Sequence, residues 1–290
     1  MSAVPIAVER TAVRPEIALV PGRRAAVDLE VFEPRTRRKI RVPRVLSRMS
    51  GVVAVVLFWQ LLSSTRSIPS TIVGSPGAVA RVGWQLTASG QLGSAIAASL
   101  ERVAIGVVFG LAIGITLAMI SGLSRLGEDF VDAPVQMLRL VPFAGIIPLF
   151  IIWLGVGQTE KVAVIALGTL FPMYINLSGG IRSVDPALVE AGRTLGLSKV
   201  GLVRHVVLPS ALPQMLVGLR MSLGVSWIAL VFAEEVAATN GLGFLMMSAQ
   251  ELLQTNVIVV CLVVYAVLGL TVDLIVRALE KVLLTWRKGG

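Results

Sequence analysis

Six stretches of mostly apolar residues constrain the fold of this chain more than any other feature of its sequence. A helix needs about 20 apolar residues to span the hydrocarbon core of a bilayer, and backbone groups in lipid have to pair within the segment. The stretches therefore predict an all-α fold, a polytopic membrane bundle of six transmembrane helices. They cover residues 49–62, 103–120, 140–159, 162–181, 211–233 and 252–272.

The low charge content agrees with a membrane bundle. Charged residues make up 15% of the chain, against roughly 25% in soluble domains. The formal net charge of +9 would also suit a nucleic-acid-binding protein, but basic residues also gather on the cytoplasmic side of membrane proteins. We therefore predict no nucleic-acid partner, and we expect the apolar surface to contact the lipid bilayer.

Few residues suit catalysis or metal binding. The chain has one cysteine, Cys261, and one histidine, His205, so it can form neither an internal disulfide nor a zinc cluster. The phosphate-binding pattern G-x-x-x-x-G-K-[ST] does not occur in it, and that pattern is what cradles the phosphates of a nucleotide in many ATPases. We predict no catalytic residue and no metal ligand, so any use of ATP requires another chain.

The distribution of lysine and arginine predicts the orientation. With the N-terminus in the cytoplasm, the inner segments carry twenty basic residues and the outer segments four, which is the excess that cytoplasmic loops normally have. The four outer residues are Arg66, Arg81, Arg102 and Lys161. We expect cytoplasmic N- and C-termini, a basic cytoplasmic tail at 1–45, a transmembrane domain at 46–290, and a cytoplasmic loop at 182–210.

The cytoplasmic loop between the fourth and fifth stretches carries local helix signals. Asp185 followed by Pro186 is typical of a helix start, and Gly196 suits the end of that helix. Ser198 can cap a second short helix, which Pro209 should end before the fifth span. The loop is therefore predicted to be a helical hairpin with a glycine turn.

The hairpin carries a spaced motif. Glu190-Ala191-Gly192 is followed by three residues, then Gly196, and after nine further residues by Val206-Val207-Leu208-Pro209. This spacing resembles the EAA loop of permease subunits from ABC importers. Gly192 stands where that pattern has a second alanine, and we expect it to keep a close-approach face open. Three longer stretches are similar to the aliphatic-sulfonate, taurine and nitrate branch of these permeases. They are LRLVPFAGIIPLFIIWLGVG (138–157), GIRSVDPALVEAGRTLG (180–196) and GLRMSLGVSWIALVFAEE (218–235).

The resemblance implies a type I permease of a bacterial plasma (inner) membrane that imports a small anion. An aliphatic sulfonate is the first candidate substrate, and taurine or nitrate comes next. The implied partners are a second permease copy, a cytoplasmic ATPase dimer that binds ATP and Mg, and an extracytoplasmic substrate-binding protein. No cofactor is implied for this chain itself. The implied ATPase-coupling residues are Glu190, Ala191, Gly192, Gly196, Leu208 and Pro209.

Candidate residues of a translocation path lie in the third stretch. Pro142 and Pro148 each remove a backbone donor, and freed carbonyls are tolerated in a membrane only inside protein or facing water. Arg139 is expected near the cytoplasmic end of this stretch. It would either attract an anionic substrate or act as a topology and headgroup contact.

Further candidates lie in the fourth and fifth stretches. Tyr174 and Asn176 follow Pro172, and they would either face the same cavity or form hydrogen bonds between helices. Glu234 and Glu235 are expected at the outer end of the fifth span. They would form either an interface, with the binding protein or within the bundle, or a solvated helix end.

Two further sequence features are predicted to have a structural role and no role in transport. Gly106, Gly110 and Gly114 form a small-residue stripe, which predicts close helix packing. A short helix is expected at 244–253, lying on the outer surface after the break at Asn240.

Two alternatives remain open from the sequence. A neighbouring branch of the same permeases imports aromatic or vitamin-precursor molecules, and no residue excludes that substrate class. A self-contained secondary transporter would carry coupling carboxylates in mid-membrane and an internal repeat. Its predicted features are missing from the central stretches, because Glu101 and Asp273 lie near span ends.

Overall fold

The structure is a computed structural model that describes residues 44–64 and 74–284, and this part of the chain is helical without a β-strand. The chain divides into two units, Met1–Arg48 and Met49–Gly290, and the following concerns the second. The predicted basic tail lies almost entirely outside the described residues. The α-helices are α1 (Arg44–Ser64), α2 (Pro76–Ala88), α3 (Gln91–Leu123), α4 (Arg125–Arg139), α5 (Phe143–Leu154), α6 (Gln158–Arg182), α7 (Pro186–Thr194), α8 (Lys199–Leu202), α9 (Leu208–Ala237), α10 (Leu242–Glu251) and α11 (Thr255–Leu283).

Four helices in the described part are long and apolar enough to cross a membrane. They are α3, α6, α11 and the continuous helix Lys199–Val236 that joins α8 to α9. The first and third predicted stretches fall in shorter apolar helices, Val53–Ser64 and Gly145–Leu154. The all-helical membrane fold is therefore confirmed, although the helix boundaries differ from the predicted ones.

The α3 and α6 helices run parallel and touch along the predicted glycine stripe. A Cβ atom on Gly106 would lie 2.6 Å from Ile165 Cγ2, and one on Gly114 would lie 2.8 Å from the Leu170 carbonyl oxygen. No side chain fits between the two backbones at these positions, so glycine is what allows the close approach. The structural role predicted for these glycines is confirmed.

The α6 helix is the central helix of the bundle. It packs against α3 on one side and α9 on the other, and Val164, Ile165, Tyr174 and Leu177 along it are fully buried. Burial on two sides explains why α6 has small and apolar residues around most of its circumference. Whatever moves α6 or α9 therefore moves the core.

The third predicted span is a broken helix and not one continuous span. The α4 helix carries the chain back from the end of α3, and α5 follows after a break at residues 140–142. Pro142 has φ −68° and ψ 139° and precedes the first residue of α5, so it starts a helix instead of kinking one. The residue before a proline is disfavoured in the helical conformation, which helps to keep Val141 out of a helix within the break.

Pro209 does not end the second helix of the loop, contrary to the sequence prediction. A π-helical turn at Val203–Val207 connects α8 to α9 without interruption. In this turn the Leu208 N–H bonds to the Val203 carbonyl, five residues earlier. A proline ring clashes with the carbonyl four residues before it in an α-helix, and the wider π-turn relieves that clash.

Candidate functional site

The α7–α8 hairpin is built from local caps, as the sequence predicts. The Asp185 carboxylate accepts a hydrogen bond of 2.8 Å from the Ala187 N–H, and Pro186 is the first residue of α7. Gly196 has φ +81°, in the left-handed region that glycine occupies at low cost. The Ser198 hydroxyl accepts from the Gly201 N–H at 3.2 Å and caps α8. All three predicted capping features are confirmed.

The outward face of the hairpin carries small side chains and charged side chains. Ala187, Glu190, Ala191 and Arg193 are all exposed. Glu190 makes no ion pair with any residue that the structure describes. Small side chains around an unpaired carboxylate leave room for a partner surface to approach the helix backbone.

Gly192 lies inside the hairpin and not on its outward face. It is buried, and a Cβ atom there would lie 2.7 Å from Leu202 Cδ2 and 3.4 Å from Val206 Cγ2. The expectation that it keeps an approach face open is therefore wrong. The absence of a side chain at Gly192 instead lets α7 pack closely against α8 and the π-turn.

The last two motif residues lie at the base of the hairpin. Leu208 is half-buried and Pro209 is exposed. Pro209 lines a shallow cavity of about 330 Å³ together with Leu188, His205, Val206 and Ser210. The motif therefore spans the hairpin from its outward face to the start of α9.

A buried ion pair lies where α3 and α9 meet, at the end of the bundle opposite the hairpin. Arg102 Nη1 is 2.5 Å from Glu234 Oε1, and the two side chains are 4% and 0% exposed. The Ser99 hydroxyl donates to the same carboxylate at 2.8 Å, and the Gly243 N–H donates at 2.7 Å. Glu234 is therefore an interior residue, and the solvated-helix-end alternative is wrong for it. Glu235, next to it, is half-buried.

Arg102 joins four segments of the bundle. Besides Glu234, its Nε donates to Gln158 Oε1 at 2.6 Å, and its Nη1 donates to the Asn240 carbonyl at 2.8 Å. Its Nη2 donates to Asn240 Oδ1. It thus connects α3, α6, α9 and the loop before α10.

The sequence reasoning placed Arg102 and Lys161 in outer segments, and the structure buries both. Lys161 Nζ lies 2.7 Å from Glu160 Oε1 and 2.8 Å from the Gly157 carbonyl. A sequence signal for Arg102 existed, because it lies four residues before Gly106 and continues the stripe that faces α6.

Tyr174 and Asn176 form hydrogen bonds within the bundle. Tyr174 is fully buried, and its hydroxyl lies 2.5 Å from Asp132 Oδ1 and 3.0 Å from Ser121 Oγ. The Asn176 amide donates to the Pro172 carbonyl at 2.8 Å. Tyr174 therefore forms the predicted hydrogen bonds between helices and lines no open path in this conformation, whereas the Asn176 bond lies within α6.

Arg139, Pro142 and Pro148 are each exposed, and they lie in the segment that contains the α4–α5 break. Of the two prolines, Pro148 lies inside α5, and Pro142 directly precedes that helix. Arg139 is the last residue of α4 and directly precedes the break at residues 140–142. Its expected place near the cytoplasmic end of the third stretch stays a prediction.

Comparison with known proteins covers most of the chain. Residues 110–284 match the family model described as "Binding-protein-dependent transport system inner membrane component". The chain is 46% identical over 234 residues to a protein of Escherichia coli (strain K12) named as an aliphatic sulfonates transport permease, SsuC, covering 81% of this chain and 89% of that one. It is 36% identical to the taurine transport system permease protein TauC of the same organism, covering 74% and 75%.

Solved structures show the same fold at low sequence identity. The crystal structure of an amino acid ABC transporter with histidines aligns with a TM-score of 0.57 at 18% identity, covering 68% of this chain and 96% of that chain. This likeness concerns the arrangement of the helices.

Proposed function

Because the chain belongs to the binding-protein-dependent inner membrane components, in the branch of the aliphatic sulfonate and taurine ABC permeases, we propose that it imports an aliphatic sulfonate. Taurine, itself a sulfonate, is the second candidate, and nitrate is the third. The protein is a multi-pass membrane protein and a transport subunit. The names of its relatives support this substrate class over the aromatic or vitamin-precursor alternative.

The outward face of the α7–α8 hairpin is the observation on which we base the proposed coupling of ATP hydrolysis to transport. Exposed Ala187, Glu190 and Ala191 are the surface on which a cytoplasmic ATPase subunit would dock. ATP and Mg would bind to that subunit, and hydrolysis would occur there. Gly192 and Gly196 would support this surface from within, by close packing and by the left-handed turn.

The connections of the hairpin suit the transmission of movement. Three residues separate α7 from the end of α6, and α8 continues into α9 through the π-turn. The hairpin therefore joins the two helices that pack against each other in the core. A displacement of the hairpin by an ATPase would move both helices together, because neither connection contains a long flexible segment.

The proposed assembly places the hairpin in the cytoplasm. Both termini would lie there too, in the plasma (inner) membrane of a bacterium. The excess of lysine and arginine in the inner segments supports this orientation, because cytoplasmic loops of membrane proteins normally carry that excess. A second permease copy would complete the path, and an extracytoplasmic binding protein would deliver the substrate.

The test is transport by purified components. The permease would be reconstituted in proteoliposomes with a candidate ATPase and binding protein, and uptake of labelled ethanesulfonate, taurine and riboflavin would be measured with and without ATP. We expect ATP-dependent uptake of ethanesulfonate above that of riboflavin. Uptake by the permease alone, without nucleotide, would instead establish a secondary transporter and refute the proposal.

A further inference from the structure

Arg139 lies at mid-height of the bundle. Seven residues before it on α4, Asp132 is level with Tyr174 of α6, because their side chains are 2.5 Å apart. Eight residues after it, Ile147 packs in the same cluster as Val164 and Ile165. Arg139 is therefore level with the part of α6 between Ile165 and Tyr174, which is the middle of that 25-residue candidate membrane span.

The guanidinium of Arg139 has no partner among the residues that the structure describes. It is exposed and takes part in none of the ion pairs or side-chain hydrogen bonds of that part of the chain. Arg220 lies at a similar height, since Ser222, two residues on, bonds to the Thr169 carbonyl. Arg220 is paired, at 2.7 Å from Glu280 Oε2 and 3.5 Å from Asp273 Oδ1. Arg139 thus differs from the other described arginine at this depth.

An unpaired arginine at this depth cannot face hydrocarbon without a large cost. The α6 helix is about 37 Å long at 1.5 Å per residue, so its middle is more than 10 Å from either end. The helix break at residues 140–142 points the same way, because freed backbone groups are tolerated only inside protein or beside water. Two separate features of this segment therefore indicate a surface that lines water or protein.

We propose that Arg139 binds the negatively charged sulfonate group of the substrate during transit, at the midpoint of the membrane. This inference rests on the proposed function. Guanidinium stays charged at any physiological pH, and its fork of N–H donors fits the oxygens of a tetrahedral oxyanion. No carboxylate among the described residues competes for those donors. A single exposed charge also permits release, because it attracts an anion without enclosing it.

The experiment uses the complete transporter, with permease, ATPase and binding protein in proteoliposomes. Arg139→Gln removes the charge, and Arg139→Lys keeps it without the fork. Arg125→Gln is the matched control, because Arg125 is the exposed first residue of the same helix. The readouts are ethanesulfonate uptake, ATPase rate and the size of the assembled complex.

We expect Arg139→Gln to lower ethanesulfonate uptake about tenfold or more, since a lost charge-assisted hydrogen bond has an effect of that order. Assembly and ATPase activity should remain. Arg139→Lys should retain more uptake than the glutamine variant, and Arg125→Gln should match the wild type.

Three results would overturn the inference while leaving the proposed function intact. They are wild-type uptake in Arg139→Gln, an equal loss in Arg125→Gln, and failure of Arg139→Gln to assemble. The last would show that Arg139 is required for assembly and not specifically for substrate transit. If the wild-type complex imports no sulfonate, the proposed function fails, and this inference fails with it.

Discussion

The buried Arg102–Glu234 pair should stabilise the end of the bundle where α3, α6 and α9 meet. Both side chains are almost fully buried, at 4% and 0% exposure, so solvent screening does not weaken their interaction. Breaking a buried pair by removing one partner costs about 3–5 kcal/mol, because the other charge remains uncompensated. We expect Arg102→Met to lower the free energy of unfolding by that amount.

The hydrogen bonds around the pair decide where in this range the loss of unfolding free energy should fall. After Arg102→Met, the Glu234 carboxylate keeps its donors from Ser99 and Gly243, which favours the lower part of the range. Gln158 and Asn240 lose their donor at the same time, which raises the cost again.

A double-mutant cycle separates the pair from its surroundings. Glu234→Leu should cost a similar 3–5 kcal/mol, and the double variant Arg102→Met/Glu234→Leu should cost clearly less than either single change, because it leaves no buried charge unpaired. The measurement is equilibrium unfolding in mixed detergent micelles. Arg81→Met is the control, since Arg81 is exposed and should change stability by less than about 0.5 kcal/mol. Additive losses in the double variant would refute the reasoning.

Three further predictions concern packing and the hairpin. Gly110→Ala should lower the free energy of unfolding by about 1–3 kcal/mol, because the added Cβ would collide with the Ala166 carbonyl oxygen. Gly93→Ala on the same helix is the control, since its Cβ would lie in open space; in the same equilibrium-unfolding assay it should be neutral or stabilising. Gly196→Ala should add about 1–2 kcal/mol of strain at φ +81° and reduce ATP-dependent uptake per assembled complex; undiminished uptake would show that the turn tolerates a side chain. Glu190→Lys should abolish uptake or ATPase assembly while membrane insertion stays normal, and full uptake in that variant would argue against the docking role.

Local signals explain which features of the hairpin could be predicted. Asp185, Pro186, Gly196 and Ser198 each act on backbone groups within three residues of themselves. Such caps do not depend on the rest of the fold, so sequence reasoning located the hairpin correctly. Gly192 was misplaced because its neighbours, Leu202 and Val206, are brought to it only when the hairpin closes.

The sequence by itself determined that this chain is a helical membrane bundle, since hydrocarbon allows long apolar segments few other conformations. It also determined that Gly106, Gly110 and Gly114 would lie on one helix face, because a helical period places them there. Only the tertiary structure decided which charges are paired. Arg102 and Glu234 are 132 residues apart, and no local pattern relates them. Among the residues that the structure describes, Arg139 has no partner, and this too was decided by which helices pack together.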